Sequence, residues 1–134
     1  MLKTACIHPE IMAVLSRCGH GDKILIADGN YPLESKSGDA AKVYLGLTSG
    51  TPEVTEVLKV LAQVVNFEKA EVMMPDGEQP PIFDEFRSIL GGMELSGLER
   101  FQFYEACCQP NVRLAISTGE KRTFANILLT INVA

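Results

Sequence analysis

The run Lys23-Ile24-Leu25-Ile26-Ala27 constrains this chain most. A strand alternates its side chains between two faces, so consecutive apolar residues leave neither face suited to water. Such a run reads as a buried central strand, covered on both sides, and that is the mark of α/β architecture. Asp28-Gly29-Asn30 closes it with turn chemistry.

The rest of the chain alternates helix-like and strand-like segments. Pro9 suits a first helical turn, and Ile11, Val14, Leu15 and Cys18 share one face, predicting a helix from Pro9 to about Cys18 with Gly19 at its C-terminal cap. Lys42 to Leu45 reads as a short strand. Thr51-Pro52 predicts a helix with Thr51 as N-cap and Pro52 at the first helical position. Val54, Val57, Leu58, Leu61 and Val65 form its apolar stripe. Ala70 to Met74 reads as a strand closed by Pro75-Asp76-Gly77. Ile82, Phe83, Phe86 and Ile89 predict a helix stopped by Gly91-Gly92, and a further helix is expected from Leu98 to Cys108, before Pro110. Val112 to Ser117 and Asn126 to Val133 are the last two strands, joined by a loop containing Thr118-Gly119. The expectation is one compact α/β domain over residues 1–134, with layered helices on a central sheet.

At 134 residues the chain can bury a core without disulfides or metal. Its net charge of −5 argues against a nucleic-acid partner and against an anionic membrane surface. The short basic cluster Lys121-Arg122 reads as a solvated loop. The N-terminus has neither a long apolar stretch nor a cleavage signature, and no run of about twenty apolar residues could span a bilayer, so the cytoplasm is the expected compartment. Cys6, Cys18, Cys107 and Cys108 lack metal-ligand spacing and read as free thiols.

Gly19-His20-Gly21-Asp22 puts a histidine between two glycines. The glycines allow a tight turn with the ring accessible, and imidazole is the side chain best suited to proton transfer near neutral pH. A surface-loop histidine is the simpler reading. Asp28 lies where a parallel strand would end, the place where open α/β sheets bind ligands, and a carboxylate there can accept hydrogen bonds from sugar hydroxyls; an Asx-turn residue before Gly29 is the equal alternative. The glycines of this segment fit neither phosphate-loop nor dinucleotide spacing. His8, His20, Asp22 and Asp28 offer no tight metal-ligand spacing. Cys18 lies near His20 in sequence, but its place on the apolar helix face favours core packing over a thiol–imidazole pair. Arg100 opens an aromatic cluster, Arg100-Phe101-Gln102-Phe103-Tyr104-Glu105. On a helix Phe101 and Phe103 point in different directions, one toward the core and the other toward a cleft. The guanidinium suits either surface packing or a polyhydroxylated ligand.

Taken in order, these motifs resemble one family. Gly19-His20-Gly21-Asp22 followed by Asp28-Gly29-Asn30-Tyr31-Pro32 resembles the N-terminal signature of the RbsD/FucU sugar mutarotases. The segment Arg100 to Glu105 is similar to the FucU branch, and Thr118-Gly119-Glu120 with Phe124-Ala125-Asn126-Ile127-Leu128-Leu129 is similar to the family's closing motif. The resemblance implies an RbsD-like fold, interconversion of free sugar anomers without a cofactor, and a ring-shaped homo-oligomer, typically a decamer. It carries the proton-donor role to His20 and sugar binding to Asp28, Arg100, Phe124, Ala125 and Asn126. Arg100 favours L-fucose, since the ribose branch has histidine there. Two positions depart from the fucose pattern: Phe124 replaces the family's tyrosine, with Tyr31 or Tyr104 as other sources of a hydroxyl, and Ala125 is closer to the ribose branch. A D-ribose pyranase and a non-catalytic sugar-binding accessory are the alternatives. His20 and Asp28 flank one strand, and eight extended residues span roughly 26–29 Å. A single site therefore needs either a loop folded back over the strand or a second subunit.

Overall fold

The computed structural model describes residues 1–134. Along the chain run α1 (Pro9–Leu15), β1 (Lys23–Ala27), β2 (Ala41–Tyr44), α2 (Val54–Leu61), β3 (Phe67–Met73), α3 (Ile82–Ile89), β4 (Leu95–Leu98), α4 (Arg100–Cys107), β5 (Val112–Ser117) and β6 (Ile127–Ile131). The strands form one six-stranded sheet in the order β2-β5-β1-β6-β3-β4. β1 has the bounds its apolar run predicts and is covered on both faces. Ile24 and Ile26 join a core with α1, α2 and α3, whereas Leu25 and Ala27 join a smaller one with Phe103 and Cys107 of α4 and with Tyr31 and Leu33. On that second side Lys23 Nζ donates to Glu71 Oε1 at 2.8 Å, pairing β1 with β3 across β6.

β6 decides where a site can form. β1, β2 and β5 are mutually parallel, β3 and β4 are parallel, and β6 runs antiparallel to both of its neighbours, β1 and β3. Five strands therefore share one direction, and their carboxyl ends lie at one edge together with the start of β6. The loops after β1 and β4 and the loop before β6 meet there, although they are far apart in sequence.

Several element boundaries differ from expectation. α1 stops at Leu15 rather than Cys18, because the chain tightens into i→i+3 bonds, Arg17 N to Val14 O and Cys18 N to Leu15 O; Gly19 is not its cap. α2 starts at Val54 with Glu53 as N-cap, whose N–H donates to Glu56 Oε1 at 3.1 Å. Thr51 and Pro52 are instead held in the preceding turn, where Pro52 O accepts from Gly119 N at 2.9 Å. The expected helix from Leu98 begins at Arg100, and Leu95–Leu98 is an edge strand, β4. Its Gly97 lies under the Met74 side chain, whose Cε would have to shift to admit a Cβ there. β3 starts at Phe67, three residues earlier than its apolar part.

Candidate active site

At the carboxyl edge a cleft of about 180 Å³ is lined by Asp28, Asn30, Tyr31, Met73, Arg100, Tyr104, Thr123, Phe124 and Asn126. That volume is below the roughly 300–1,000 Å³ of drug-sized sites, which suits a ligand as small as a monosaccharide.

Asp28 lines this cleft and is 2% exposed. Its Oδ1 accepts from Asn30 N at 2.9 Å and its Oδ2 from Ala125 N at 3.2 Å, while its own N–H donates to Asn126 Oδ1 at 2.8 Å. The two readings of this residue thus coexist: Asp28 makes an Asx-type turn and also faces the cleft. A carboxylate has about four lone-pair sites, so two backbone donors leave capacity for a ligand hydroxyl. Burial pushes the carboxyl above its ordinary value, opposed by the backbone hydrogen bonds from Asn30 and Ala125.

Arg100 opens α4, where Glu99 is the N-cap and accepts from Gln102 N at 2.8 Å. One turn later Tyr104 faces the same way, and Arg100 Nε donates to Tyr104 Oη at 3.2 Å. The Tyr31 hydroxyl is spent on Lys36 O at 2.7 Å, so Tyr104 supplies the cleft's remaining phenol. Phe103 points into the core, as one of the two phenylalanines was expected to. Phe101 does not reach the cleft: it is 68% exposed, with the Arg100 guanidinium 5.6 Å from its ring centre.

The loop before β6 supplies the other wall. Phe124 has φ 57, a left-handed conformation unusual for a large side chain, and this turns its ring toward the cleft. Ala125 is fully buried and contributes its backbone N–H to Asp28 rather than a side chain to the cleft. Arg122 is not the solvated loop residue its sequence suggests. Its guanidinium donates to Glu120 (2.9 and 3.0 Å), Glu85 (2.6 Å) and Glu53 (3.2 Å), tying the loop to the start of α2 and to α3. Burial pushes the Glu120 carboxyl up, but the hydrogen bonds and charge of Arg122 outweigh it and hold Glu120 below its ordinary value.

Four of the six residues singled out in the sequence, Asp28, Arg100, Phe124 and Asn126, line one cleft, and Ala125 braces it. His20 is elsewhere. It precedes β1, at the opposite edge of the sheet, and no loop carries it back over the strand; β1 alone spans on the order of 15 Å. Its ring is 55% exposed and pairs with Glu68. Asn30, Met73 and Thr123 were not assigned to the site from sequence, and Tyr31 and Tyr104 were named there only as other sources of a hydroxyl. Tyr104 had a signal, its i+4 spacing from Arg100, whereas Met73 enters only because β3 ends beside β6.

All four cysteines are free, and burial pushes the Cys107 thiol up to about 12, away from nucleophile chemistry. No three His, Cys, Asp or Glu side chains converge as a metal-holding group. No helix is long and apolar enough to cross a membrane.

The model of the RbsD / FucU transport protein family matches residues 1–134. A D-ribose pyranase from Staphylococcus haemolyticus is 35% identical over 136 residues, covering 99% of this chain and 98% of the relative. Human fucose mutarotase is 31% identical over 137 residues, covering 93% of this chain and 88% of the relative. Among solved structures, FucU from Bifidobacterium longum superposes with a TM-score of 0.83 at 32% identity, covering 96% of this chain and 95% of that one. Motif order, sheet topology and full-length match agree, and the chain belongs to the RbsD/FucU family.

Proposed function

We propose that this chain is a monosaccharide mutarotase that opens and recloses the sugar ring by acid–base catalysis, with L-fucose or a related 6-deoxy sugar as substrate. The observation that carries this reading is the convergence of Asp28, Arg100, Tyr104 and Asn126 on one small cleft. These are polar groups of both hydrogen-bonding senses, suited to a ring of hydroxyls. The names of the relatives, sugar pyranase and fucose mutarotase, support the same class of reaction.

In this mechanism the anomeric O–H loses its proton, the ring oxygen gains one, and the C1–O bond to the ring oxygen breaks as the aldehyde forms. Rotation about C1–C2 and reclosure give the other anomer. Positioned proton-transfer groups contribute roughly 10²–10⁴-fold to such steps. His20 is the proton-transfer group; Asp28, Arg100 and Asn126 hold hydroxyls, and Phe124 covers an apolar face. His20 and the cleft occupy opposite edges of one protomer, so the complete site takes His20 from a neighbouring copy, within a ring-shaped homodecamer of the cytoplasm.

A second reading, D-ribose pyranase, is favoured by Ala125 and by the pyranase at 35% identity. One experiment separates the two: saturation-transfer NMR of anomer exchange over a panel of free sugars, at equal concentration and pH. Faster fucose exchange is expected. Faster ribose pyranose–furanose exchange transfers the chain to the other branch, and binding without exchange makes it a sugar-binding accessory. Light scattering coupled to size exclusion tests the assembly, and an active monomer would exclude a shared site.

A further inference from the structure

At the edge away from the cleft, the loop carrying His20 is built rather than loose. Gly19 N donates to Asp22 Oδ2 at 2.8 Å, Gly21 N to Ile131 O at 3.0 Å, and Asn111 Nδ2 to Gly21 O at 3.2 Å. Gly21 takes φ 90, which a side chain would resist, and this turns the chain directly after the histidine. The imidazole is then gripped at one atom: His20 Nε2 lies 3.1 Å from both Oε1 and Oε2 of Glu68. Nδ1 makes no hydrogen bond.

Glu68 reaches this position through an irregularity in the sheet. The pairing of β3 with β6 runs from Phe67↔Ile131 directly to Lys69↔Thr130, so Glu68 is the extra residue of a bulge. Bulges re-aim a side chain away from the regular alternation. Two independently formed local structures, the Gly-bracketed turn and the β3 bulge, thus meet on one nitrogen.

A carboxylate only accepts, so Nε2 is the donor and the neutral ring carries its proton there, leaving Nδ1 bare. We propose that Glu68 is the positioning residue for His20: it fixes the ring's tautomer and orientation through Nε2, so that Nδ1 is the atom exchanging a proton with the sugar. This rests on the reading of His20 as the proton-transfer group. In the forward step the bare Nδ1 takes the proton of the anomeric hydroxyl as that oxygen's electrons form the aldehyde, the C1–O bond to the ring oxygen breaks, and water protonates the ring oxygen. The imidazole is left as an imidazolium, with the new proton on Nδ1 and the other on Nε2 facing Glu68. Reclosure reverses each transfer. The arrangement follows the general logic of a carboxylate orienting a catalytic imidazole.

The test uses the full-length protein with Glu68→Ala and with Glu68→Gln, which keeps an acceptor without the charge. Anomer-exchange kinetics should show kcat reduced on the order of tenfold or more in Glu68→Ala with KM little changed, because sugar contacts lie in the cleft, and partial recovery in Glu68→Gln. In parallel, ¹⁵N-histidine spectra, with His8 identified through His8→Asn, should show His20 protonated at Nε2 alone in the wild type. In Glu68→Ala they should shift toward the mixed tautomers of a free imidazole. Unchanged kcat, a rise in KM alone, or identical His20 spectra in wild type and Glu68→Ala would overturn the proposal. Failure of the functional reading looks different: the spectra respond to Glu68 while neither wild type nor variant exchanges any sugar, which also removes the proton-transfer role of Nδ1.

Discussion

The two edges of the sheet are built in opposite ways. At the carboxyl edge, Asp28 and Asn126 are buried and hydrogen-bonded to backbone, and the loop before β6 is clamped by Arg122 to three carboxylates. At the amino edge, His20 and Glu68 form one exposed pair beside a tight turn. Groups that read the shape of a ligand gain from being fixed before it arrives, since ordering them at binding would cost affinity. A group that only moves a proton can stand on the surface, provided another surface closes over it. On the proposed function, binding and proton transfer are separated along one strand, β1, with Asp28 after one end and His20 before the other.

The largest expected effect sharpens that separation. His20→Ala should lower anomer exchange by roughly 10²–10⁴-fold, with sugar affinity and melting temperature held near wild type, measured by saturation-transfer NMR, calorimetry and circular dichroism. A parallel loss of affinity would place His20 among the binding groups and break the division between edges. Next comes Arg122→Ala. It leaves the buried Glu120 carboxylate without its cation and should cost about 1–3 kcal/mol of stability, with weaker sugar binding as the loop loosens. Truncating the exposed partner, Glu68→Ala, should stay within about 0.5 kcal/mol. Because Glu120 is held below its ordinary value, its contribution is present above the unfolded-state pKa and is lost as pH falls through the folded one. Denaturant titrations on the acid side should therefore be flatter for Arg122→Ala than for wild type.

Below the Arg122→Ala effect comes Phe124→Tyr. The Tyr31 hydroxyl is committed to Lys36 O and the Tyr104 hydroxyl accepts from Arg100 Nε, so a hydroxyl at 124 adds a partner on the other wall of the cleft. A typical net hydrogen bond of about 0.5–1.5 kcal/mol corresponds to roughly a two- to twelve-fold gain in affinity. A marked loss would mean that this wall is apolar toward the sugar. The smallest effect concerns Asp28. Its pKa is raised by burial, so its favourable contribution is fully present below the unfolded-state pKa and is lost as pH rises through the folded value. The stability of wild type relative to Asp28→Asn should accordingly decline from about pH 3 toward neutrality. A difference independent of pH would show that the carboxyl titrates as it does in the unfolded chain.

Some of this was legible from residues alone. β1 and β5 have their expected bounds, β1 because an unbroken apolar run in a strand needs cover on both faces. α3 follows from the spacing of Ile82, Phe83, Phe86 and Ile89. β4 was missed, since Leu95-Ser96-Gly97-Leu98 has neither apolar alternation nor β-branched residues, and it is a strand because β3 offers it an edge and Gly97 clears Met74. The start of β3 was hidden for a similar reason: Glu68 and Lys69 look like loop residues until the bulge and its pairing partners are in place.

What the sequence determined by itself is the set of local conformations and the chemistry on offer: a doubly covered strand ending in Asp28, an accessible histidine in a tight turn, and an arginine one helical turn from a tyrosine. These depend on backbone preference and side-chain periodicity within a few residues. Only the tertiary structure decided which of them meet. The reversed direction of β6 brings residues 124–126 to the carboxyl ends of β1, β3 and β4, completing the cleft from segments nearly a hundred positions apart, and it leaves His20 and Glu68 facing each other at the far end. The direction of a strand is a non-local choice, made by pairing with both neighbours at once, and no local run of residues records it.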